Sequence, residues 1–172
     1  MADSKPLVNR IAQSSLVTFK IEELLPEVAF KDFDIKDYLF KGLILKEADF
    51  REALKTHDWE QYQEKVLLVF CSADAIVPMW AYMLIASYAT PFAADVFYGR
   101  EGDYYGSFLD KAFHNIDFTQ YQDARLVIKG CADKPVPPSA YLKITQHLRP
   151  FAKSIMFGEP CSTVPIYKRP KV

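Results

Sequence analysis

The sequence contains the same segment twice. Residues 58–99 align without a gap with residues 117–158, at a constant offset of 59 residues. The two segments share 16 identities in 42 positions, whereas average protein composition predicts about two or three by chance. Twelve of the identities fall in short strings, which are Gln-Tyr-Gln, Ala-Asp, Val-Pro, Ala-Tyr and Pro-Phe-Ala. A repeat of this kind restricts the chain to architectures built from two equivalent units.

Length and composition favour a packed α/β protein rather than a disordered chain. Half of the 172 residues are hydrophobic and 15% are aromatic, which is enough apolar material for a real core. We therefore predict a single domain over residues 1–172. The net charge is −1, from 21 basic and 22 acidic residues, so no overall field favours nucleic acid or an anionic membrane, and we expect neither as a partner.

The N-terminal residues and the cysteines predict a cytoplasmic protein. Residues 1–6 have no apolar core of a signal peptide. The longest apolar stretch, residues 77–89, is too short to span a bilayer. The three cysteines are widely spaced and form no Cys-x-x-Cys pair, which fits a reducing compartment better than a disulfide scaffold.

Each repeat predicts a helix, a strand, a second helix and a second strand. In the first repeat, residues 46–99, Asp49 is the expected N-cap of a helix that ends at Thr56. A continuous apolar run then predicts a strand buried on both faces, and Pro78 suits the first turn of the next helix. The expected elements of this repeat are a strand at 65–71, a helix at 78–89 and a strand at 95–98.

The second repeat, residues 106–158, predicts the same order of elements after a polar linker at 100–107. The expected elements are a helix at 108–115, a strand at 125–129, a helix at 137–148 and a strand at 154–157. Before the repeats, we expect a strand at 16–21, a loop at 22–33 and an element of undecided type at 35–40. The fold class is therefore α/β: an internally duplicated helix–strand–helix–strand unit with pseudo-two-fold symmetry and a mostly parallel sheet, preceded by a short N-terminal segment.

The two central helices differ in polarity. Residues Met79 to Ala89 are apolar on all sides, so we expect this helix to be buried on several sides. Its counterpart carries Lys143, Gln146 and His147 on one side and should lie at the surface. The contrast predicts that the N-terminal segment or a second subunit covers the first helix, and hence a homodimer or a protein partner bound through Met79 to Ala89.

Chemically useful residues follow the predicted strands. Open parallel sheets bind ligands beyond the carboxyl ends of their strands, and all three cysteines and both repeated aspartates are expected at that edge. The candidate pocket residues are Cys71, Ser72, Asp74, Cys131, Asp133, Cys161 and Ser162.

The repeat argues against a symmetric metal site at this edge. Cys71 aligns with Gly130, and Cys131 aligns with Ser72, so the thiols are out of phase by one residue and should point to opposite sides of an extended chain. We predict no metal and no cofactor, and we favour small buried cysteines at strand ends. For Asp74 and Asp133 we favour capping of their own loops over an acid–base pair.

The string Cys71-Ser72-Ala73-Asp74-Ala75-Ile76-Val77-Pro78, followed by Trp80-Ala81-Tyr82, resembles a bacterial family described as domain of unknown function 2480 (DUF2480). The resemblance continues through residues 129–137 and 158–165 and covers essentially the whole chain. It implies no established activity, so it assigns no functional residues. Genes for members of this family often lie near genes for iron–sulfur cluster assembly, and the resemblance therefore implies a thiol or metal accessory role as an alternative.

Three functions stay open at this point. We rank first a non-catalytic binding or assembly protein, because the chain has an apolar helix and no recognised phosphate-loop, zinc-protease or hydrolase motif. The second is a thiol or metal accessory protein that uses Cys71, Cys131 and Cys161. The third is a small-molecule enzyme with a site at the carboxyl ends of the strands, so whether the protein is an enzyme is undecided.

Overall fold

The structure of the protein is a computed structural model that describes residues 16–130, 134–159 and 162–170. The chain divides into two compact units. We call Pro26–Tyr104 the central unit, and Met1–Leu25 together with Tyr105–Val172 the terminal unit. The described residues form an α/β fold with four α-helices and two sheets, and the single domain over residues 1–172 stays a prediction.

The central unit is a three-stranded parallel sheet with two α-helices. Its strands lie in the order β2-β3-β4, and all neighbours are parallel. The elements are β2 (Phe30–Asp34), α1 (Glu47–Thr56), β3 (Val66–Phe70), α2 (Met79–Ala89) and β4 (Asp95–Tyr98).

The middle strand of this sheet is buried along its whole length, as the sequence predicted. Every residue of β3 is buried. Leu67 and Val69 belong to a core cluster with residues of both helices, among them Leu54 of α1 and Ile85 of α2. Because side chains alternate along a strand, Leu68 lies on the opposite face. There the ring of Tyr104 contacts Phe30 and Phe97 of the two neighbouring strands.

The terminal unit has a mixed sheet of four strands in the order β1-β5-β6-β7. The first three are parallel, and β7 pairs antiparallel with β6. Its elements are β1 (Leu16–Phe19), β5 (Arg125–Ile128), α4 (Pro138–Leu148), β6 (Ser154–Glu159) and β7 (Ser162–Lys168), with α3 (Glu101–His114) entering from the central unit. None of the helices in the described ranges has both the length and the apolar character needed to cross a membrane.

The two units share their order of elements and their strand register. Val66 of β3 pairs with Phe30, and Arg125 of β5, 59 residues later, pairs with Leu16. Each unit therefore takes its first strand from the segment before the repeats. The equivalent residues of these two strands, Leu16 and Phe30, are 14 residues apart. Backbone angles also match at the repeat spacing, since Gly99 and Gly158 have φ of 128° and 125°. Glycine tolerates this region without the strain that a Cβ atom brings.

Several predicted boundaries were wrong. The predicted loop at 22–33 contains most of a short 3₁₀ helix, Ile21–Leu24, and most of β2. The element of undecided type at 35–40 contains a second 3₁₀ helix, Ile35–Tyr38. The helix expected from Asp49 begins at Glu47, with Lys46 as its N-cap. The polar linker expected at 100–107 is helical, because α3 begins at Glu101. No strand was expected after residue 157, but β7 is present.

Within the described residues, the two central helices do not show the predicted contrast, and the cover predicted for α2, by the N-terminal segment or a second subunit, stays a prediction. In α2 the buried residues are Ala81, Ile85 and Ala89, and in α4 they are Ala140, Ile144 and Leu148, which are the same positions at an offset of 59. Each helix thus buries one face. The physical reason is that each helix packs on its own sheet through one stripe of side chains.

Candidate functional site

The carboxyl ends of β2 and β3 are tied together by a carboxylate. Cys71 directly follows β3, is half-buried, and its thiol lies 3.5 Å from the carbonyl oxygen of Ala73. Ser72 is exposed, and its backbone N–H donates to Oδ1 of Asp34 at the end of β2, at 3.0 Å. Asp34 also accepts the N–H of Lys36 at 3.0 Å, so this side chain fixes the turn after each strand.

The electrostatics around Asp34 favour its ionised form. Partial burial by itself would raise the pKa of Asp34, but hydrogen bonds from Ser72 and Lys36 and the nearby Arg100 guanidinium outweigh it, and the pKa is lowered. Arg100 also lies over the ring of Phe70 at 3.3 Å from the centroid. The sequence analysis did not single out Asp34. Asp side chains often accept a hydrogen bond from the backbone N–H two residues later and so form a turn, and the Lys36 N–H makes this bond to Asp34.

The other predicted site residues have different outcomes. Asp74 is exposed, and the described residues supply no hydrogen bond to its carboxylate, so the loop-capping role predicted for it is not observed. Ser162 begins β7 and is exposed. The predictions for Cys131, Asp133 and Cys161 fall outside the described residues. The thiol hypothesis therefore stays a prediction, and the described residues contain no group of three or more His, Cys, Asp or Glu side chains placed to hold a metal ion.

A pair of aromatic rings lies at the same place in each unit. Tyr82 of α2 meets Tyr98 of β4 edge to face, with centroids 5.5 Å apart. Tyr141 of α4 meets Phe157 of β6 in the same way at 5.6 Å. Burial, with the nearby Tyr98 and Cys71, raises the pKa of Tyr82, so its phenol stays neutral near pH 7. Each ring pair marks an apolar surface between the helix and the last parallel strand.

In the central unit this surface is a patch of exposed apolar side chains. Four of them are between 71% and 91% exposed, and we call them the α2 patch: Ile76, Met79, Met83 and Tyr98. Met79 and Met83 are one helical turn apart. Met79, Tyr82 and Tyr98 also enclose a small hollow of about 380 Å³. Side chains of this size are seldom left uncovered together without a reason.

In the terminal unit the equivalent place is a larger hollow, which we call the α4 hollow. Its volume is about 660 Å³, and its lining includes Ile128, Tyr141, Leu142, Thr145, Phe157 and Ile166. Leu142 stands 59 residues after Met83 and is similarly exposed, at 70%. The volume falls within the range of about 300–1,000 Å³ that is common for small-molecule sites.

A second cluster that the sequence did not reveal is polar and half-buried. His57 bridges two tyrosines: its Nδ1 lies 3.0 Å from the Tyr38 hydroxyl, and its Nε2 lies 2.9 Å from the Tyr62 hydroxyl. Burial lowers the pKa of His57, and the nearby Asp58 opposes this in part. Burial also raises the pKa of both tyrosines. Tyr38 lies 19 residues before His57 in the sequence, and the three residues match no ligand spacing, so only the fold brings Tyr38 to the other two.

Taken together, the described side chains at the carboxyl ends are suited to apolar binding. The larger surfaces are formed by Met, Leu, Ile, Tyr and Phe side chains, and the ionised Asp34 is engaged with backbone N–H groups.

Comparisons with known proteins identify the family of the chain. No curated protein and no solved structure matches it. A family model described as "Protein of unknown function (DUF2480)" matches residues 5–169, in agreement with the resemblance seen in the sequence. The chain therefore belongs to the DUF2480 family of proteins of unknown function.

Proposed function

We propose that this protein is a non-catalytic binding or assembly protein that associates with a second copy of the chain through the α2 patch. The observation that carries the proposal is the exposure of four large apolar side chains, Ile76, Met79, Met83 and Tyr98, of which Met79 and Tyr98 line the same hollow. Burial of apolar surface is the main favourable term in protein association, and homodimer interfaces are more apolar than the rest of the surface.

The composition of α2 supports a second copy as the partner. The helix has the sequence MWAYMLIASYA and contains no charged residue. A two-fold interface brings the same patch of both copies together. A charged patch would then face an equal charge and be repelled, but α2 has no charge and avoids this repulsion. Met79, Met83 and Ser87 are exposed at intervals of four residues and form a stripe. A two-fold axis at Met83 would place Met79 of one copy against the small Ser87 of the other.

The first prediction is that Met83→Glu weakens dimerisation. In sedimentation velocity, the unmodified chain is expected to form a species of two chains at micromolar concentration. In the variant the dimer dissociation constant should rise at least ~10-fold, because an unpaired carboxylate buried in an apolar interface loses its hydration. Met83 is exposed in the isolated chain, so the variant should fold normally.

Leu142→Glu is the matched control, because it introduces the same charge at the equivalent exposed position of the terminal unit. This variant should dimerise like the unmodified chain. A protein that remains monomeric at high concentration would overturn the proposal. If Met83→Glu leaves the dimer dissociation constant unchanged, the interface lies on another surface. The same conclusion follows if Leu142→Glu raises that constant as much as Met83→Glu does.

We further propose that the two units come from an internal duplication and that the protein is cytoplasmic. The shared register at Val66 and Arg125, and the matched glycines Gly99 and Gly158, support the duplication. The cytoplasmic location is supported by the wide spacing of the three cysteines. The pseudo-two-fold symmetry stays a prediction.

A further inference from the structure

We propose that the α4 hollow is a binding site for a neutral, flat aromatic small molecule. This inference goes beyond the proposed function, because it concerns the terminal unit and does not depend on association of the chain. The hollow and the α2 patch occupy equivalent places in the two units, but their shapes differ. The reasons for that difference identify the class of ligand.

A glycine gives the hollow its width. A Cβ atom added to Gly130 would lie 2.8 Å from Cζ of Phe157, which is too close for an ordinary contact. Phe157 therefore lies directly against the backbone after β5. In the central unit the equivalent residue is Cys71, and Tyr98 at the position of Phe157 is 71% exposed, compared with 37% for Phe157. The ring of Phe157 thus lies closer to the backbone than an added side chain at Gly130 would allow, and it forms the flat base of the hollow beside Tyr141.

Strand β7 closes one side of the hollow. The sheet of the central unit has no equivalent strand among the described residues. Pro165 pairs with Met156 and Tyr167 pairs with Ile155, so Ile166 is the extra residue of a β-bulge. Bulges commonly redirect a side chain, and Ile166 lines the hollow. Because β7 already pairs with β6, no extended peptide can pair with β6 on that side. A compact molecule is the occupant that fits.

The polarity of the lining selects a neutral ligand. Of the described residues that line the hollow, none is charged. The hydroxyl of Thr145 donates to the carbonyl oxygen of Tyr141 at 2.7 Å, and Gln146, which also lines the hollow, is exposed. An ion would lose hydration here without a partner of opposite charge, whereas an aromatic ring can pack edge to face or stacked on Tyr141 and Phe157.

The test uses two fluorescent probes of the same skeleton on the full-length protein. N-phenyl-1-naphthylamine is neutral, and 1-anilinonaphthalene-8-sulfonate adds one negative charge. We expect saturable binding of the neutral probe at one site per chain. Leu142→Glu at the rim should weaken it at least ~10-fold, and Met83→Glu, at the equivalent position of the central unit, should change it less than ~2-fold.

A second variant tests the base of the hollow. Gly130→Cys gives the terminal unit the side chain found in the central unit and should weaken binding at least ~5-fold by displacing Phe157, with the far-UV circular dichroism spectrum unchanged. Absence of saturable binding overturns the proposal. So does equal or tighter binding of the sulfonate, or a neutral probe that Met83→Glu displaces as strongly as Leu142→Glu. These results leave the dimerisation experiment unaffected, so the two proposals fail separately.

Discussion

His57 is a residue at which the two units differ in chemistry. The residue 59 positions later is Ile116, and Tyr38 corresponds through the strand register to Leu24. The Tyr38–His57–Tyr62 network therefore stands where the terminal unit has aliphatic side chains at two of three positions. A half-buried polar network stabilises a fold only when its members are hydrogen-bonded, and both ring nitrogens of His57 are within hydrogen-bond distance of a tyrosine hydroxyl.

This environment predicts a dependence of stability on pH. Burial lowers the pKa of His57 in the folded state, so as the pH falls below the ordinary histidine pKa of about 6.5 the unfolded chain binds a proton first. The contribution of His57 should thus be complete above about pH 6.5 and decrease as the pH falls below it. Urea unfolding at pH 7.5 and pH 5 should show a smaller loss of stability for His57→Gln than for the unmodified chain. An identical loss in both proteins would contradict this role of His57.

The candidate site residues illustrate what could be predicted at this scale. The positions of Cys71, Ser72 and Asp74 after a buried strand followed from the apolar run before them. Their partners did not, since Ser72 is bound by Asp34, which lies 38 residues earlier on a neighbouring strand. Local patterns place a residue at the end of an element, but a hydrogen bond between strands depends on which strands are neighbours.

At the scale of elements, the two helices that lie at the same place in the repeats bury one face each. For α4 this predicts a large difference in the cost of substitution between two positions that are only two residues apart. Ile144 is fully buried and Leu142 is exposed, so Ile144→Ala should lower the free energy of unfolding by about 2–5 kcal/mol. Leu142→Ala on the same helix should change it by less than about 0.5 kcal/mol. Urea denaturation measures both, and similar losses for the two variants would show that the buried face is assigned incorrectly.

The sequence predicted the buried elements better than the edge strands. The run Val66–Phe70 is continuous and apolar, and its strand was predicted because both faces are covered. Most of strand β2 was assigned to a loop because residues 22–33 are acidic and interrupted by Pro26, and in the structure Phe30–Asp34 carries three charged residues and buries only Phe33. Strand β7 contains Pro165, which is tolerated at an edge but weakens any pattern of alternation. An edge strand needs one buried face at most, so its sequence contains less of the signal.

At the scale of the whole molecule, the repeat predicted two similar sets of elements but not two sheets. The order of strands is not encoded in local periodicity, because the same pattern suits any neighbour with an apolar face. The segment before the repeats makes this plain: β1 and β2 are separated by ten residues, yet they extend different sheets. Their equal register with β5 and β3 became visible only in the structure.

The pairing of β1 with β5 has a consequence for how the chain folds during synthesis. The central unit is one continuous segment, Pro26–Tyr104, whereas the terminal unit joins Leu16–Phe19 to strands that begin at Arg125. Contacts between distant segments form slowly because a long loop must close first. On the ribosome, β1 emerges first and must wait for more than half of the chain before its partner strand exists.

We therefore expect the central unit to acquire structure before the terminal unit. In pulsed hydrogen exchange during refolding, the amides of β3 should become protected earlier than those of β5, although the two strands occupy equivalent places. Simultaneous protection, or earlier protection of β5, would contradict this order. While β1 waits, Leu16–Phe19 is a strand without a sheet, and such an exposed segment is a natural target for a chaperone or for pairing with another nascent chain.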